Sequence, residues 1–127
     1  MGSKTYLDTH VVIWLNDIEI DKLSDRAYEL IDTGNLFLSE FVRLELQYLQ
    51  EIERLRVEPD TIVSFLNAEI NLTLCDESLH SIMTEALLYG WTRDPFDRLI
   101  TANASIDNNL LVTKDDSIRD NYEYAVF

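Results

Sequence analysis

Arg93-Asp94-Pro95-Phe96-Asp97-Arg98-Leu99-Ile100-Thr101-Ala102-Asn103-Ala104 reads as a helix whose start is encoded in its first residues. Asp94 suits the N-cap, where a carboxylate accepts from the free amides of the first turn. Pro95 follows at the first helical position, where a missing N–H costs nothing. Phe96, Leu99, Ile100, Asn103 and Ala104 recur at helical spacing, so one face is largely apolar. Asp97 stands at the flank of that face, in the first turn, where the helix dipole favours negative charge. Both acids serve as capping residues on this reading, and Asp97 is also placed to meet a cation at the edge of a core.

Working outward, Leu110-Leu111-Val112-Thr113 after this helix is the clearest strand of the chain. Residues 115–118 make a short turn or helix, and 124–126 a last, edge strand. On the other side, a helix over 78–89 is stopped by Gly90, and 72–75 is a weak strand. Pro59 opens a helix to about residue 69, and a long helix is predicted over 40–55. Leu36-Phe37-Leu38 is a short buried strand ending at Ser39. Ser24 caps a helix over 25–32 that Gly34 stops. Lys4-Thr5-Tyr6-Leu7 is a strand ending at Asp8, and Thr9 caps the helix begun by Val11, Val12, Trp14 and Leu15. Short apolar strands alternating with helices define an α/β protein with a central parallel β-sheet covered on both faces.

The 127 residues, 46% of them hydrophobic, make one domain over 1–127 with a core large enough to fold without staples. The single cysteine, Cys75, excludes an intramolecular disulfide and fits a reducing cytoplasm. No apolar stretch approaches the roughly 20 residues of a membrane span, and no signal-peptide pattern opens the chain. The net charge of −14 argues against nucleic-acid binding through a general basic surface. Neutralising four acids as metal ligands leaves the chain strongly acidic. A nucleic-acid role therefore needs a local site with bound cations, or a partner that supplies positive charge.

In an open parallel sheet, ligands bind beyond the carboxyl ends of the strands. Asp8 directly follows the first strand, and Asp115 follows the 110–113 strand after Lys114. Asp97 starts the helix that precedes that strand. In the long helix, Phe41, Leu44, Tyr48, Leu49, Ile52 and Leu55 are read as the inner stripe, with Glu45 near its middle. An inward carboxylate neutralises, pairs with a base or binds a metal; pairing with a distant arginine such as Arg98 is the plain alternative. Carboxylates are the hard ligands that Mg²⁺ or Mn²⁺ prefers. A cation held by Asp8, Glu45, Asp97 and Asp115 would activate water for in-line attack on a phosphodiester. Thr113 has a hydroxyl for a phosphate or a ligand carboxylate, or simply ends its strand. Arg93, Arg98 and Lys114 offer phosphate contacts or ion pairs with the nearby acids. His10 reads as a packed or capping histidine before a general base, and Trp14, Phe41 and Tyr48 as core.

Four strings carry a family resemblance: Tyr6-Leu7-Asp8-Thr9-His10 with Trp14-Leu15, Leu44-Glu45-Leu46-Gln47-Tyr48-Leu49, Asp94-Pro95-Phe96-Asp97-Arg98-Leu99-Ile100, and Leu111-Val112-Thr113-Lys114-Asp115. In this order they resemble PIN-domain endoribonucleases, specifically VapC-type toxins of bacterial toxin–antitoxin systems. The resemblance implies a PIN-like three-layer α/β/α sandwich and Mg²⁺- or Mn²⁺-dependent cleavage of RNA, leaving a 5′-phosphate and a 3′-hydroxyl. Matched by position, Asp8 and Asp97 are the principal metal ligands, and Glu45 and Asp115 complete the catalytic site. Asp94 matches an acid common in the subgroup, a cap first and an outer ligand second. The resemblance further implies a homodimer and a cognate antitoxin whose C-terminal segment approaches the site. Ser39-Glu40 departs from the Ser-Pro usual after the second strand and puts an extra acid near the site. A different reading is a non-catalytic PIN-like module whose acidic face docks a basic protein partner. A receiver or a haloacid-dehalogenase-type phosphatase ranks lower, because Asp8 is followed by Thr9-His10 rather than by a second acid.

Overall fold

The computed structural model describes residues 2–127; Met1, the first residue of the domain expected over 1–127, lies outside them. Five strands form one all-parallel sheet: β1 (Thr5–Leu7), β2 (Leu36–Leu38), β3 (Thr73–Leu74), β4 (Leu110–Val112) and β5 (Ala125–Val126). Their order is β3-β2-β1-β4-β5. The chain moves outward from β1 to β2 and β3, then returns to the other side of β1 for β4 and β5. The reversal opens a crevice at the carboxyl ends of β1 and β4, which pair in register from Thr5↔Leu110 to Leu7↔Val112.

Seven α-helices complete the three-layer α/β/α sandwich: α1 (Thr9–Asn16), α2 (Asp25–Thr33), α3 (Glu40–Glu51), α4 (Pro59–Ile70), α5 (Leu79–Ala86), α6 (Pro95–Ser105) and α7 (Asp116–Asn121). The central strand is fully enclosed, as parallel strands require: Tyr6 and Leu7 are buried with Leu36, Leu38, Leu111 and Val112. Among the described residues no helix is long and apolar enough to cross a membrane.

Helix starts follow local chemistry closely. Asp94 accepts from the amides of Phe96 and Asp97, with Pro95 at the first position of α6. Ser24, Ser39 and Ser78 cap α2, α3 and α5 in the same way. One start differs: Asp8, not Thr9, caps α1, its Oδ1 accepting from the Thr9 amide at 2.8 Å. The carboxylate is one residue closer to the strand end, and the Thr9 hydroxyl is thereby released for another partner.

Helix ends are less well encoded. The third helix stops at Glu51 rather than near residue 55, because Glu53 takes the left-handed conformation at φ 62°. The fifth stops at Ala86, short of Gly90, which has no positive φ and where a Cβ would meet no atom within 4 Å. Gly34 does follow α2, yet its φ of −82° is open to any residue. What demands glycine there is proximity. A Cβ would lie 2.4 Å from the Leu30 carbonyl oxygen and 3.1 Å from Thr5 Oγ1. Gly34→Ala is therefore expected to destabilise the fold by about 1–3 kcal/mol, read as a lower urea midpoint with an unchanged slope.

The inner face of α3 also differs from the expected stripe. Val42 and Leu46 are its buried residues, with Phe41 and Leu49 packed beside them, whereas Leu44, Tyr48 and Ile52 are exposed. Glu45 is consequently half-buried on the flank of the helix rather than central to it.

Candidate active site

Asp8, Glu45, Asp94, Asp97 and Asp115 all line one cavity of about 330 Å³. They come from four places in the sequence that the topology brings to the β1/β4 crevice. Asp8 leaves the end of β1 with its amide still bonded to the Val112 carbonyl, so the sheet ladder sets its position. Asp115 caps α7 through the Ile118 amide, just beyond the end of β4. Asp94 and Asp97 lie at the start of α6, and Glu45 approaches from α3. His10, Val11, Trp14 and Lys114 complete the walls.

Two threonines hold the acids in place. Thr113, fully buried, donates from Oγ1 to Asp8 Oδ2 at 2.5 Å and accepts from the Asp115 amide at 3.1 Å. Thr9 donates from Oγ1 to Glu45 Oε1 at 2.5 Å. Of the two uses open to the Thr113 hydroxyl, the structure shows contact with a carboxylate. Sequence reasoning gives Thr9 only a capping role and misses this contact. A signal for it does exist, a hydroxyl residue directly after a strand-end acid.

Two sequence candidates, Arg98 and Arg93, fall elsewhere. Arg98 donates from Nε to the Ala86 carbonyl at 2.8 Å, neutralising the carboxyl end of α5. It neither pairs with Glu45 nor lines the cavity. Arg93 likewise turns to the Gly90 carbonyl. Glu40 points away from the acids and is bound by Arg43 at 2.7 Å, so the departure at Ser39-Glu40 adds no charge to the cavity wall. A larger hollow, about 510 Å³, lies between α3 and α4, but its Arg43 is committed to Glu40 and Asp60.

The acids repel one another, and this is visible in the protonation of Asp97, Asp8 and Glu45. Burial pushes the Asp97 carboxyl up, and the charges of Asp94, Asp115, Asp8 and Glu45 push it further, to about 7. Burial also raises Asp8, opposed by its bonds from Thr113 and the Thr9 amide. Glu45 is raised by burial, opposed by the Thr9 hydroxyl. All three shifts have the same sign. A carboxyl with a higher value folded than unfolded binds more protons in the native state, so stability is lost as pH rises. The metal-free chain is expected to be less stable at pH 8 than at pH 5, the loss falling between about pH 4 and 7. Asp97 is only partly buried, and solvent screening reduces its share to roughly 1–2 kcal/mol. Urea denaturation in chelator at both pH values checks this.

The donor chemistry fits a hard divalent cation: carboxylate oxygens from separate elements in a cavity short of positive charge. Among the described residues no three Asp, Glu, His or Cys side chains are drawn together closely enough to hold an ion as they stand. Asp8 and Glu45 are instead turned to the threonines, Asp94 and Asp115 to helix amides. The quartet expected from the sequence thus shares a cavity without being assembled as ligands.

A model of the PIN domain matches residues 5–124. No curated protein matches the chain. With the parallel sheet, the acids at its carboxyl edge and a family match across nearly all of its length, the chain belongs to the PIN domain family, whose members are generally nucleases.

Proposed function

We propose that the chain is a metal-dependent endoribonuclease that hydrolyses RNA phosphodiester bonds, and that it acts as the toxin of a cytoplasmic toxin–antitoxin pair. The observation that carries this reading is the gathering of acids from β1, α3, α6 and the end of β4 around one cavity. Asp8 and Asp97 would be the principal ligands of Mg²⁺ or Mn²⁺, with Glu45 and Asp115 completing the set and Asp94 outside it. A bound ion of this kind supplies water of lowered pKa and a positive charge that offsets the acids toward phosphate.

The chain's own residues do the rest. Thr113 orients Asp8 and fixes Asp115 through its amide; Thr9 orients Glu45. Asp94 holds the first turn of α6, which sets the direction of Asp97. Glu45 and Asp115 would accept a proton from the attacking water once a phosphodiester lies against the acids. A homodimer and a cognate antitoxin belong to the same reading, supported by the VapC-like strings.

The test is cleavage of RNA by chain stripped of divalent ions and of any co-purifying protein. Cleavage is expected on addition of Mg²⁺ or Mn²⁺, with 5′-phosphate ends, and none in chelator. The charge of −14 favours a second reading, a non-catalytic module docking a basic protein. Tight binding of such a partner with no cleavage of any RNA under either metal would decide for it.

A further inference from the structure

Trp14 packs against the main core, as the sequence reads it, and, half-buried, it also forms a wall of the acidic cavity. It lies one helical turn from His10, which is exposed and lines the same cavity; their rings are 6.5 Å apart and inclined at 52°. Phe127 packs edge-on to the Trp14 ring, with centroids 6.2 Å apart. The Lys114 ammonium lies 6.0 Å from the Phe127 ring centre. Lys114 is exposed and, among the described residues, is the one Lys or Arg that lines the cavity and forms no ion pair within 4 Å. Its neighbour Asp115 is occupied in capping α7.

These features answer a problem the charge creates. A chain at −14 cannot hold RNA by a broad basic surface. Base stacking does not depend on charge and is worth about 1–3 kcal/mol per base. Two aromatic rings lining the cavity offer that, and a single ammonium nearby offers a phosphate contact. Bases become available for stacking when they are unpaired.

We propose that the His10–Trp14 wall with Lys114 is the seat of one unpaired nucleotide next to the scissile phosphate, the base stacked on the Trp14 ring with His10 against its edge and its phosphate on the ammonium. The proposal rests on the endoribonuclease reading and deepens it by giving His10, Trp14 and Lys114 a binding role.

The test uses tryptophan emission of a Trp91→Phe chain, in which Trp14 is the sole tryptophan. The probe is an unpaired RNA oligomer, added in Ca²⁺ so that a hard ion is present while its bound water stays weakly acidic. A matching oligomer without bases is the control. Emission is expected to change with the first and not with the second. By anisotropy of the labelled strand, His10→Ala and Trp14→Leu are each expected to weaken binding at least fivefold, with Trp14→Phe near parental. Lys114→Gln is expected to weaken binding several-fold and to flatten its salt dependence. Unchanged emission, or an equal change with the base-free oligomer, overturns the proposal. If Trp14→Leu fails to fold, the base-free control and His10→Ala still decide. RNA cleavage with unresponsive emission sinks this seat and leaves the nuclease reading standing; responsive emission with no cleavage under Mg²⁺ or Mn²⁺ does the reverse.

Discussion

Asp97→Asn is expected to cleave RNA on the order of a thousandfold more slowly than the parent, and yet to be the more stable protein when metal is absent. The two effects come from one side chain. Asp97 carries the largest accumulation of like charge in the cavity, with Asp94, Asp115, Asp8 and Glu45 all raising its carboxyl after burial has done so, to about 7. Asparagine keeps the shape and removes the charge. It also removes a favourable interaction with the α6 dipole, worth about 0.3–1 kcal/mol. The raised carboxyl already contains that contribution, so repulsion and burial outweigh the dipole at this position. At neutral pH in chelator the variant is expected to gain roughly 1–2 kcal/mol after allowance for solvent screening, or several degrees of Tm. The gain should vanish near pH 4, where the parental carboxyl is itself protonated. Activity goes the other way, because a neutral amide is a poor ligand for a hard cation. Added Mg²⁺ or Mn²⁺ should raise the parent's Tm and move that of the variant much less. Thermal melts with and without metal, beside a cleavage assay on the same preparations, check both halves. Equal cleavage by variant and parent would place the activity in a contaminant or in another part of the molecule.

The features legible in the sequence are those that depend on near neighbours along the chain. The cap and proline at Asp94-Pro95 define the start of α6 within four residues, and the structure places it there. The strand ends at Leu7 and Val112 put Asp8 and Asp115 at one edge because parallel topology leaves little choice. The face of α3 is misleading because the helix has apolar residues on two sides. Leu44, Tyr48 and Ile52 are apolar and exposed, so periodicity alone rotates the helix toward them. Trp14 does pack against the core as its apolar spacing predicts, but hydrophobicity does not reveal that the same ring also lines a cavity. The destinations of Arg93 and Arg98 are hidden because both go to backbone carbonyls, Gly90 and Ala86, which have no signature in side-chain composition. The threonines are hidden in the opposite way. Thr9 and Thr113 look like ordinary cap and strand-end residues, and their contacts with Glu45 and Asp8 span 36 and 105 positions.

Thr113→Val is expected to weaken metal-dependent cleavage by about 10–100-fold without touching a ligand. Valine has nearly the same shape at a fully buried site, so packing is retained and the change is confined to one hydroxyl. That hydroxyl donates to Asp8 and accepts from the Asp115 amide. Its loss leaves the amide without that acceptor and Asp8 without the donor that most opposes its burial. The Asp8 carboxyl then rises further, competing protons gain on the cation, and its position at the cavity wall is no longer fixed by that bond. Stability should fall by about 1–3 kcal/mol, the cost of leaving a buried polar group unpaired. A purely structural role would lower the yield of folded protein and leave the metal dependence of the remainder unchanged. A role in orienting Asp8 predicts a different pattern: cleavage by Thr113→Val is recovered in part by higher Mg²⁺ and by higher pH, and Thr113→Ser, which restores the hydroxyl, is close to the parent. Cleavage measured against metal concentration at two pH values separates them, and an unshifted metal dependence in Thr113→Val would remove Thr113 from the machinery of the site.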